Sequence, residues 1–470
     1  MDWKTITNII IIIIILTINY YIFHYIREKK YIYDYSKFNK VNNIKDTHIL
    51  PRHKFCIIGA GYSHGEHTLL ENGMRFNTID DTNIIKYNTK NKTISVKSGC
   101  IWYDIIKFLI PYNRVPSITQ SYYNFSVGGS ISVNCHGRNG KSISESIINM
   151  KILLSNGTVL ICSRHKHYDL FKGVIGGYGL LGIILEATLT TDTNDIIKCV
   201  HTKSYQIKQI CPEFFSGNNN IVFYNSNIPI MDNSGIITNY YWIKGDYKHL
   251  TIKDKIQTPT KWQYISSIIK EQLLRISYLC KYIKDNIPVD GIENTVCYRS
   301  YEMASDAELL QPLSKHPNTT TLQEYFIPVD GINKFIEHLR TNLYLINILN
   351  ISVRYVNGIK DSVINYAPVN SYSIVLYFSV INNELFMGNL HQFTDNMLKY
   401  TINNNGKFYL PYLKCYSKEL IKQMWNNEFT EMTTLKKKYD PNDMITNEWY
   451  KWYKSGVVPT PVAPTLSIFN

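Results

Sequence analysis

The sequence predicts an α+β fold made of two domains behind a short N-terminal segment. Up to about residue 192, short β-type runs alternate with loops and few helices, which differs from the regular strand–helix alternation of a parallel sheet. These runs are Phe55–Ile58, Thr93–Val96, Ile148–Leu154 and Ile183–Leu189. From about residue 193 the strands are longer and amphipathic helices separate them. With 470 residues and 44% hydrophobic side chains, the chain can bury two cores, and the composition excludes disorder over most of it.

The first 30 residues differ from the rest of the chain. Residues 6–26 contain no Asp, Glu, Lys or Arg, and a helix of this length spans about 32 Å, enough for a bilayer core. Tyr20, Tyr21 and Tyr25 suit the membrane interface. Because no small-residue cleavage site follows, an uncleaved single-pass anchor is favoured over a secretory signal. Basic residues after the span predict that the body lies on the cytosolic side of a membrane.

The formal net charge is +13, but the basic residues are dispersed along the chain. No helix-turn-helix, RRM or zinc-finger pattern accompanies them, so nucleic acid is not a predicted partner. An anionic membrane surface or a phosphate-bearing ligand would suit this charge. The nine cysteines lack CxxC spacing, and His64, His67, His165 and His167 lack metal-ligand spacing. We therefore predict neither a disulfide framework nor a metal site.

Further elements follow from hydrophobic periodicity. A helix is predicted over Ile101–Ile110, and strands are predicted over Asn220–Tyr224, Ile236–Ile243 and Ser373–Val380. Apolar residues at helical spacing between Ile265 and Ile283 predict a helix that either packs on the core or lies on a membrane surface. Residues 245–260 have the composition of a surface loop, and residues 455–470 that of an extended tail.

Three glycine-dense segments carry most of the functional signal. They are residues 57–65, 127–138 and 174–184. Glycine has no Cβ, so the main chain can approach a flat or anionic ligand closely, and three such segments suggest a large cofactor held by backbone. A Rossmann fingerprint is one alternative, but His64 stands at its third glycine position and no long helix follows. Three unrelated tight turns are the other alternative.

Taken in order, the three segments resemble the FAD-binding domain of the vanillyl-alcohol oxidase / p-cresol methylhydroxylase (PCMH) family. Gly59–Ser63 is similar to its pyrophosphate loop, Pro116 through Gly137 to the segment that passes the flavin ring, and Gly176–Ile184 to the loop before the last strand. The resemblance implies a PCMH-type FAD-binding domain of two subdomains over residues 31–192. An α+β substrate (cap) domain with an antiparallel sheet follows over 193–405, and a segment returning to the flavin over 406–470.

The same resemblance implies which residues contact FAD. They are Ile58, Gly59, Ala60, Gly61, Tyr62, Ser63, Pro116, Ser117, Thr119, Gln120, Val127, Gly128, Gly129, Ser130, Asn134, Cys135, His136, Gly137, Gly182, Ile183 and Ile184. Tyr62 stands where some members carry a histidine that is bonded to the flavin. The expected cofactor is therefore non-covalently bound FAD.

Later segments resemble the sugar-oxidising branch of this family, which includes aldonolactone oxidases, alditol oxidases and decaprenylphosphoryl-ribose oxidase. The segments are Gln323–Pro328, Ile351–Val356, Leu410–Lys414 and Lys438–Pro441. They imply that Lys414 stabilises the reduced flavin and that Arg354 binds substrate hydroxyls. Glu324 would bind hydroxyls or remove a proton, and Tyr412 and His136 would contact flavin or substrate.

The expected function is FAD-linked oxidation of a CH–OH group of a sugar, polyol, lactone or lipid-linked sugar by hydride transfer to flavin N5. The electron acceptor stays open. One alternative is a flavin-dependent reductase of a sterol-like double bond. Another is a membrane-tethered protein that kept the FAD fold and lost catalysis.

Overall fold

The computed structural model describes residues 53–120, 122–207, 220–230, 236–247, 252, 295–303, 320–380 and 384–455. The predicted anchor over residues 6–26, the predicted helix over 265–283 and nearly all of the predicted tail lie outside these residues, so they stay predictions. Within the described ranges, no helix combines the length and apolar character needed to cross a bilayer.

The first part of the chain forms two sheets. A parallel pair consists of β1 (Phe55–Ile58) and β2 (Met74–Asn77). The second sheet has the order β3-β4-β8-β6-β7, with β5 also paired to β8. Its strands are β3 (Ile84–Asn88), β4 (Thr93–Lys97), β5 (Arg114–Pro116), β6 (Ile147–Leu153), β7 (Val159–Ser163) and β8 (Ile183–Thr193). Along most of β8 buried and half-buried residues alternate, as expected for a strand with one face on a core.

Three helices complete this part. They are α1 (Trp102–Leu109), α2 (Val127–Ser132) and α3 (Tyr168–Val174). Helix α1 buries Trp102, Ile105 and Leu109, and the Trp102 indole Nε1 donates to Ser130 Oγ at 2.9 Å. Because Ser130 belongs to α2, the apolar face of α1 fixes the second glycine-dense segment in place.

The second part is an eight-stranded sheet of order β12-β9-β11-β10-β14-β15-β13-β16. All of its pairs are antiparallel. The strands are β9 (Ile196–Ser204), β10 (Ile221–Ile228), β11 (Ile237–Lys244), β12 (Val296–Tyr298), β13 (Thr320–Pro328), β14 (Asn347–Val356), β15 (Ser371–Ser379) and β16 (Lys407–Phe408). Helices α4 (Ile332–Asn342) and α5 (Glu384–Asn403) pack on one face, where Tyr325 contacts Phe335 and Gln323 donates to Thr394.

The C-terminal helices return to the first part of the chain. They are α6 (Lys418–Tyr439) and α7 (Glu448–Lys454). The backbone of Phe55 in β1 exchanges hydrogen bonds with Met444 and Thr446, both at 2.9 Å. The buried ammonium of Lys436 donates to Asp440 at 2.6 Å and to Leu180 O at 3.2 Å. The end of the chain therefore holds both β1 and the third glycine-dense segment.

The structure confirms the α+β class and the predicted strands and first helix within the described residues, with shifted ends. One difference concerns Val127–Ser132, which the sequence analysis treated as part of a glycine loop. It forms a short helix because Ser126 at its N-cap accepts a hydrogen bond from Gly129 N.

Candidate active site

The first glycine-dense segment leaves β1 at Ile58 and turns sharply. Gly61 has φ +80°, a left-handed conformation that side chains with a Cβ rarely adopt. A Cβ on Gly59 would lie 2.3 Å from Ser126 Oγ. This segment therefore requires glycine at both positions, at Gly61 for its backbone angle and at Gly59 for close approach.

Ser126 joins the first and second glycine-dense segments. Its Oγ accepts from Ala60 N at 3.2 Å and from Gly129 N at 3.3 Å. Gly128 lies so close to Ser98 that a Cβ would come within 2.9 Å of the Ser98 side chain. Main chain from two segments thus converges around one hydroxyl. Ser126 was not predicted as a site residue, although a serine before Val-Gly-Gly is a typical helix N-cap.

The segment Pro116–Gln120 lies beside α2 and follows β5. Gln120 accepts from Ser130 Oγ at 2.9 Å, and Ser117 Oγ donates to Asp192 at 2.8 Å. The buried Thr119 has its carbonyl 3.3 Å from the position that a Cβ on Gly137 would take. The structure therefore brings together the two ends of the segment that the resemblance assigned to the flavin ring.

Two arginines hold this region against the eight-stranded sheet. Arg138 lies over the rings of Phe223 and Trp242, 5.2 and 5.0 Å from their centroids, and forms a buried ion pair of 2.7 Å with Glu302. Arg299 pairs with Asp192 at 3.0 Å and donates to Ser117 O at 3.3 Å. The segments around Ser117 and Gly137 are thus held by contacts from both parts of the chain.

A buried imidazole–carboxylate pair lies where the second segment meets β13. The His136 Nε2 atom is 2.6 Å from Glu324 Oε1, and both side chains are 3% exposed. Ser373 Oγ, on the neighbouring strand β15, also donates to Glu324 Oε1. Tyr412 Oη donates to the other carboxylate oxygen at 3.1 Å. One carboxylate therefore accepts hydrogen bonds from three side chains of three different segments.

The surroundings of Glu324 keep its carboxyl group ionised. Burial alone would raise its pKa, but the charge and hydrogen bond of His136, the hydrogen bond of Ser373 and the charge of Arg354 lower the pKa below its ordinary value. Burial and the Glu324 charge raise the pKa of Tyr412 well above its ordinary value, so Tyr412 stays a neutral donor. The ionised Glu324 carboxylate can accept a hydrogen bond from a further donor.

Lys414 lies apart from this cluster. Its ammonium forms an ion pair with Glu66 and lies 5.2 Å from the centroid of the Trp452 ring. The preceding Pro411 carbonyl accepts from the amides of His64 and Gly65 at 2.8 and 3.0 Å. The 410–414 stretch is therefore attached to the chain that follows the first glycine-dense segment.

The structure brings most of the proposed catalytic residues together. Four of the five proposed catalytic residues, Glu324, His136, Tyr412 and Arg354, lie in one cluster or within electrostatic reach of it.

Ile183 and Ile184 are buried in hydrophobic clusters at the start of β8, and Gly182 packs against Ile152 and Leu153 of β6. Cys135 is a buried thiol, and Tyr366 Oη donates to Asn134 O at 2.6 Å. Ser373 and Glu66 were missed, because their partners are distant in sequence.

Comparisons with known proteins agree with this geometry. Residues 50–163 match the family model described as "FAD binding domain". Cytokinin dehydrogenase 2 of Arabidopsis thaliana is 30% identical over 138 residues, which are 28% of this chain and 27% of that protein. An FAD-dependent monooxygenase of Aspergillus niger is 30% identical over 148 residues, 30% of this chain and 25% of that protein. Decaprenylphosphoryl-beta-D-ribose oxidase of Mycolicibacterium smegmatis is 27% identical over 135 residues, 28% of this chain and 29% of that protein.

Residues 50–163 thus carry an FAD-binding domain, and the relatives that match support its resemblance to the vanillyl-alcohol oxidase / PCMH type. The matched stretch spans only about a quarter of the length of these relatives. The comparisons do not single out the sugar-oxidising branch, because cytokinin dehydrogenases match as well as the decaprenylphosphoryl-ribose oxidase does.

The residues present fit FAD. The half-buried Gly61, in its left-handed turn, presents main chain without side-chain bulk, as an anionic pyrophosphate requires. The buried amide nitrogen of Asn134 has no hydrogen-bond partner within the described residues. Gly59–Ser63 would hold the pyrophosphate, and Ser117–Gln120 with Asn134–Gly137 would hold the flavin ring.

Proposed function

We propose that the protein is an FAD-dependent oxidoreductase that oxidises a CH–OH group of a sugar, polyol, lactone or lipid-linked sugar. The FAD-binding domain supports the flavin part of this proposal. The observation that carries the substrate part is the buried carboxylate of Glu324, which accepts from His136, Ser373 and Tyr412. A polar, ionised group of this kind suits a hydroxyl substrate better than an apolar one.

Oxidation of a carbinol removes a hydride from carbon and a proton from oxygen, and bound FAD supplies the hydride acceptor. A carboxylate has about four acceptor positions. Oε1 of Glu324 accepts from His136 and Ser373, whereas Oε2 accepts from Tyr412, so the second oxygen retains a position for the substrate hydroxyl. The hydroxyl proton would pass to Oε2 as the C=O bond forms. The charge of Arg354 would stabilise negative charge on the substrate oxygen.

Anaerobic flavin bleaching tests this function. FAD-loaded protein is mixed without oxygen with a panel of polyols, aldoses, aldonolactones and a cytokinin, and the oxidised-flavin absorbance is followed. Bleaching by a polyol, sugar or lactone is the expected result, and Glu324→Gln should slow it. Bleaching by a cytokinin alone would replace the proposed substrate class. Bleaching by NADPH would favour a double-bond reductase, and no bleaching by any compound would favour an inactive binding protein.

We also propose that the FAD is not covalently attached. Tyr62 occupies the position implied for a flavin-linked histidine, and its ring packs against Tyr122 and Phe125 at 5.3 and 5.1 Å between centroids. Burial raises the pKa of the Tyr62 phenol, which disfavours a nucleophilic phenolate. Acid precipitation should therefore release intact FAD into the supernatant. Flavin fluorescence that stays with the polypeptide on a denaturing gel would contradict this.

Membrane attachment is a separate proposal, supported by the uncharged stretch over residues 6–26. Full-length protein should float with liposomes in a density gradient, whereas protein that starts at residue 31 should stay at the bottom. Equal behaviour of the two would contradict an anchor. Protease protection in vesicles would then test the predicted cytosolic side.

A further inference from the structure

Strands β10 and β14 separate beyond the pair Ser226 and Val353, and the chain of residues 138–140 enters between them. On one side, Tyr224 N donates to Arg138 O at 2.9 Å. On the other, Asn357 N donates to Gly140 O at 2.8 Å, and Gly140 forms a bridge with Val356. We call this gap, filled by residues 138–140, the fork. It adjoins the His136–Gly137 step.

Four residues at the fork have a buried polar atom with no hydrogen-bond partner within the described residues. The atoms are Asn139 Oδ1, Asn225 Oδ1, Arg354 Nε and Asn357 Oδ1. Buried polar atoms without partners are few in native proteins, and a cluster of them calls for a bound group or water. The fork therefore presents three acceptors and one donor beside the segment expected to hold the flavin ring.

Strand register connects the fork to Glu324. The pairing of β10 with β14 ends at Ser226 and Val353, so Asn225 and Arg354 are the first residues beyond it, one on each side of the fork. Arg354 is opposite Ser373 on β15, and Ser373 donates to Glu324. Because opposite residues of antiparallel strands point to the same face and successive residues alternate, Asn225, Arg354 and Ser373 point to the same face on three neighbouring strands. Arg354 and Ser373 lie about 5 Å apart across their pair, and Asn225 lies on the other side of the fork.

We infer that the fork recognises hydroxyl groups of the substrate adjacent to the carbon that is oxidised, with Asn225 as a residue that determines specificity. A hydroxyl both donates and accepts, so consecutive hydroxyls can satisfy the amide oxygens and Arg354 Nε together. An anion would meet three acceptor atoms, and the charge of the one donor, Arg354, is already offset by the nearby Glu324 carboxylate. The substrate class is therefore a neutral polyhydroxylated chain or ring. This inference rests on the proposed function for the position of the reacting carbon.

The test measures binding without turnover, on photoreduced FAD-loaded full-length protein under anaerobic conditions. Calorimetric titrations use linear polyols of increasing length from glycerol to sorbitol, and sorbitol 6-phosphate. Wild-type protein should bind the longer polyols more tightly than glycerol. Asn225→Leu should weaken sorbitol binding by about tenfold, which corresponds to the loss of one or two hydrogen bonds. Asn225→Asp keeps an acceptor atom at this position and should weaken sorbitol binding less. Asn227→Leu is the matched control, because Asn227 lies two residues along the same strand and face.

The outcomes separate this inference from the proposed function. Polyol binding that depends on Asn225, without flavin bleaching, would contradict the proposed oxidation and support the fork. Bleaching with equal sorbitol affinity in wild-type, Asn225→Leu and Asn227→Leu proteins would overturn the fork, leaving water as the partner of these atoms. Tighter binding of sorbitol 6-phosphate than of sorbitol, or no binding of any polyol, would also overturn it.

Discussion

The Nε2 atom of His136 lies 2.6 Å from Oε1 of Glu324, although 188 positions separate the two residues. His136 lies near the end of the second glycine-dense segment, after its short helix, whereas Glu324 lies on a strand of the eight-stranded sheet. Neither part of the chain holds this pair alone. The candidate active site therefore exists only when both sheets have formed and docked.

The first prediction concerns Gly61. Gly61→Val should abolish FAD binding, because a β-branched side chain at φ +80° distorts the turn expected to hold the pyrophosphate. Gly157→Val is the matched control, since Gly157 has φ +86° in the turn between β6 and β7 and no atoms surround its missing Cβ. FAD binding by equilibrium dialysis should be lost only in the first variant. Equal affinity in both variants would show that this turn does not contact the cofactor.

The second prediction concerns the pH dependence that Glu324 causes. Its pKa is lowered below the ordinary 4.5, so the ionised form needed to accept a proton persists to lower pH than usual. The rate of anaerobic flavin reduction should therefore lose its Glu324-dependent part only below about pH 4.5. Glu324→Gln should lower the rate by roughly 10² to 10⁴, the range for a general base, and should lack this acid limb. A wild-type limb above pH 5 that disappears in Glu324→Gln would contradict the lowered pKa.

The third prediction concerns Lys414 and Glu66. Removing Lys414 takes away a positive charge that is paired with the Glu66 carboxylate beside the first glycine-dense segment, and the remaining negative charge would repel a pyrophosphate. Lys414→Ala should therefore raise the FAD dissociation constant by about tenfold, and Lys414→Ala combined with Glu66→Ala should restore it. Lys437→Ala is the control, because Lys437 is exposed whereas Lys407 and Lys418 have structural partners. Unchanged FAD affinity with slow flavin reduction would instead favour the position beside the flavin that the resemblance implies.

The fourth prediction concerns His67. Its ring is stacked between Tyr178 and Trp449 at 4.5 and 5.1 Å, and burial together with the charge of Lys414 lowers its pKa to about 3. The unfolded chain takes up a proton near pH 6.5 and the folded chain does not, so stability is present above pH 6.5 and is lost as pH falls toward 3. His67→Phe keeps a stacked ring and removes the titration. The free energy of unfolding in urea should fall less between pH 7 and 5 in this variant than in wild type, and equal losses would contradict a neutral His67.

The fifth prediction concerns Lys436. Its ammonium is buried with Asp440, and Asp440 also accepts from Met444 N and Ile445 N at 3.0 and 2.9 Å. Lys436→Met should lower the free energy of unfolding by about 3 to 5 kcal/mol, because it leaves a buried charge unpaired. The adjacent, exposed Lys437→Met should change it by less than about 0.5 kcal/mol. Similar losses in both variants would show that the pair does not hold the C-terminal return.

Local patterns made the strands predictable, whereas contacts between distant segments did not follow from them. β1 and β8 begin where the apolar runs begin, because alternation and strand propensity are local properties. Glu324 and His136 became candidates through family resemblance, since their separation gives no spacing pattern. The partner of Lys414 could not be predicted from the sequence. The contact between Lys414 and Glu66 forms only because residues 410–414 dock onto the chain that follows the first glycine-dense segment. The fork was missed for the same reason.

The fork also limits how the protein can move. Residues 138–140 belong to the cofactor side of the molecule, yet their carbonyls accept from the amides of Tyr224 and Asn357 on the opposite side. A hinge opening between the two sheets would break these main-chain bonds and separate Arg138 from Glu302. Ligand exchange is therefore expected through rearrangement of side chains and connecting loops around a stationary framework, so turnover should be insensitive to cross-links placed between the sheets.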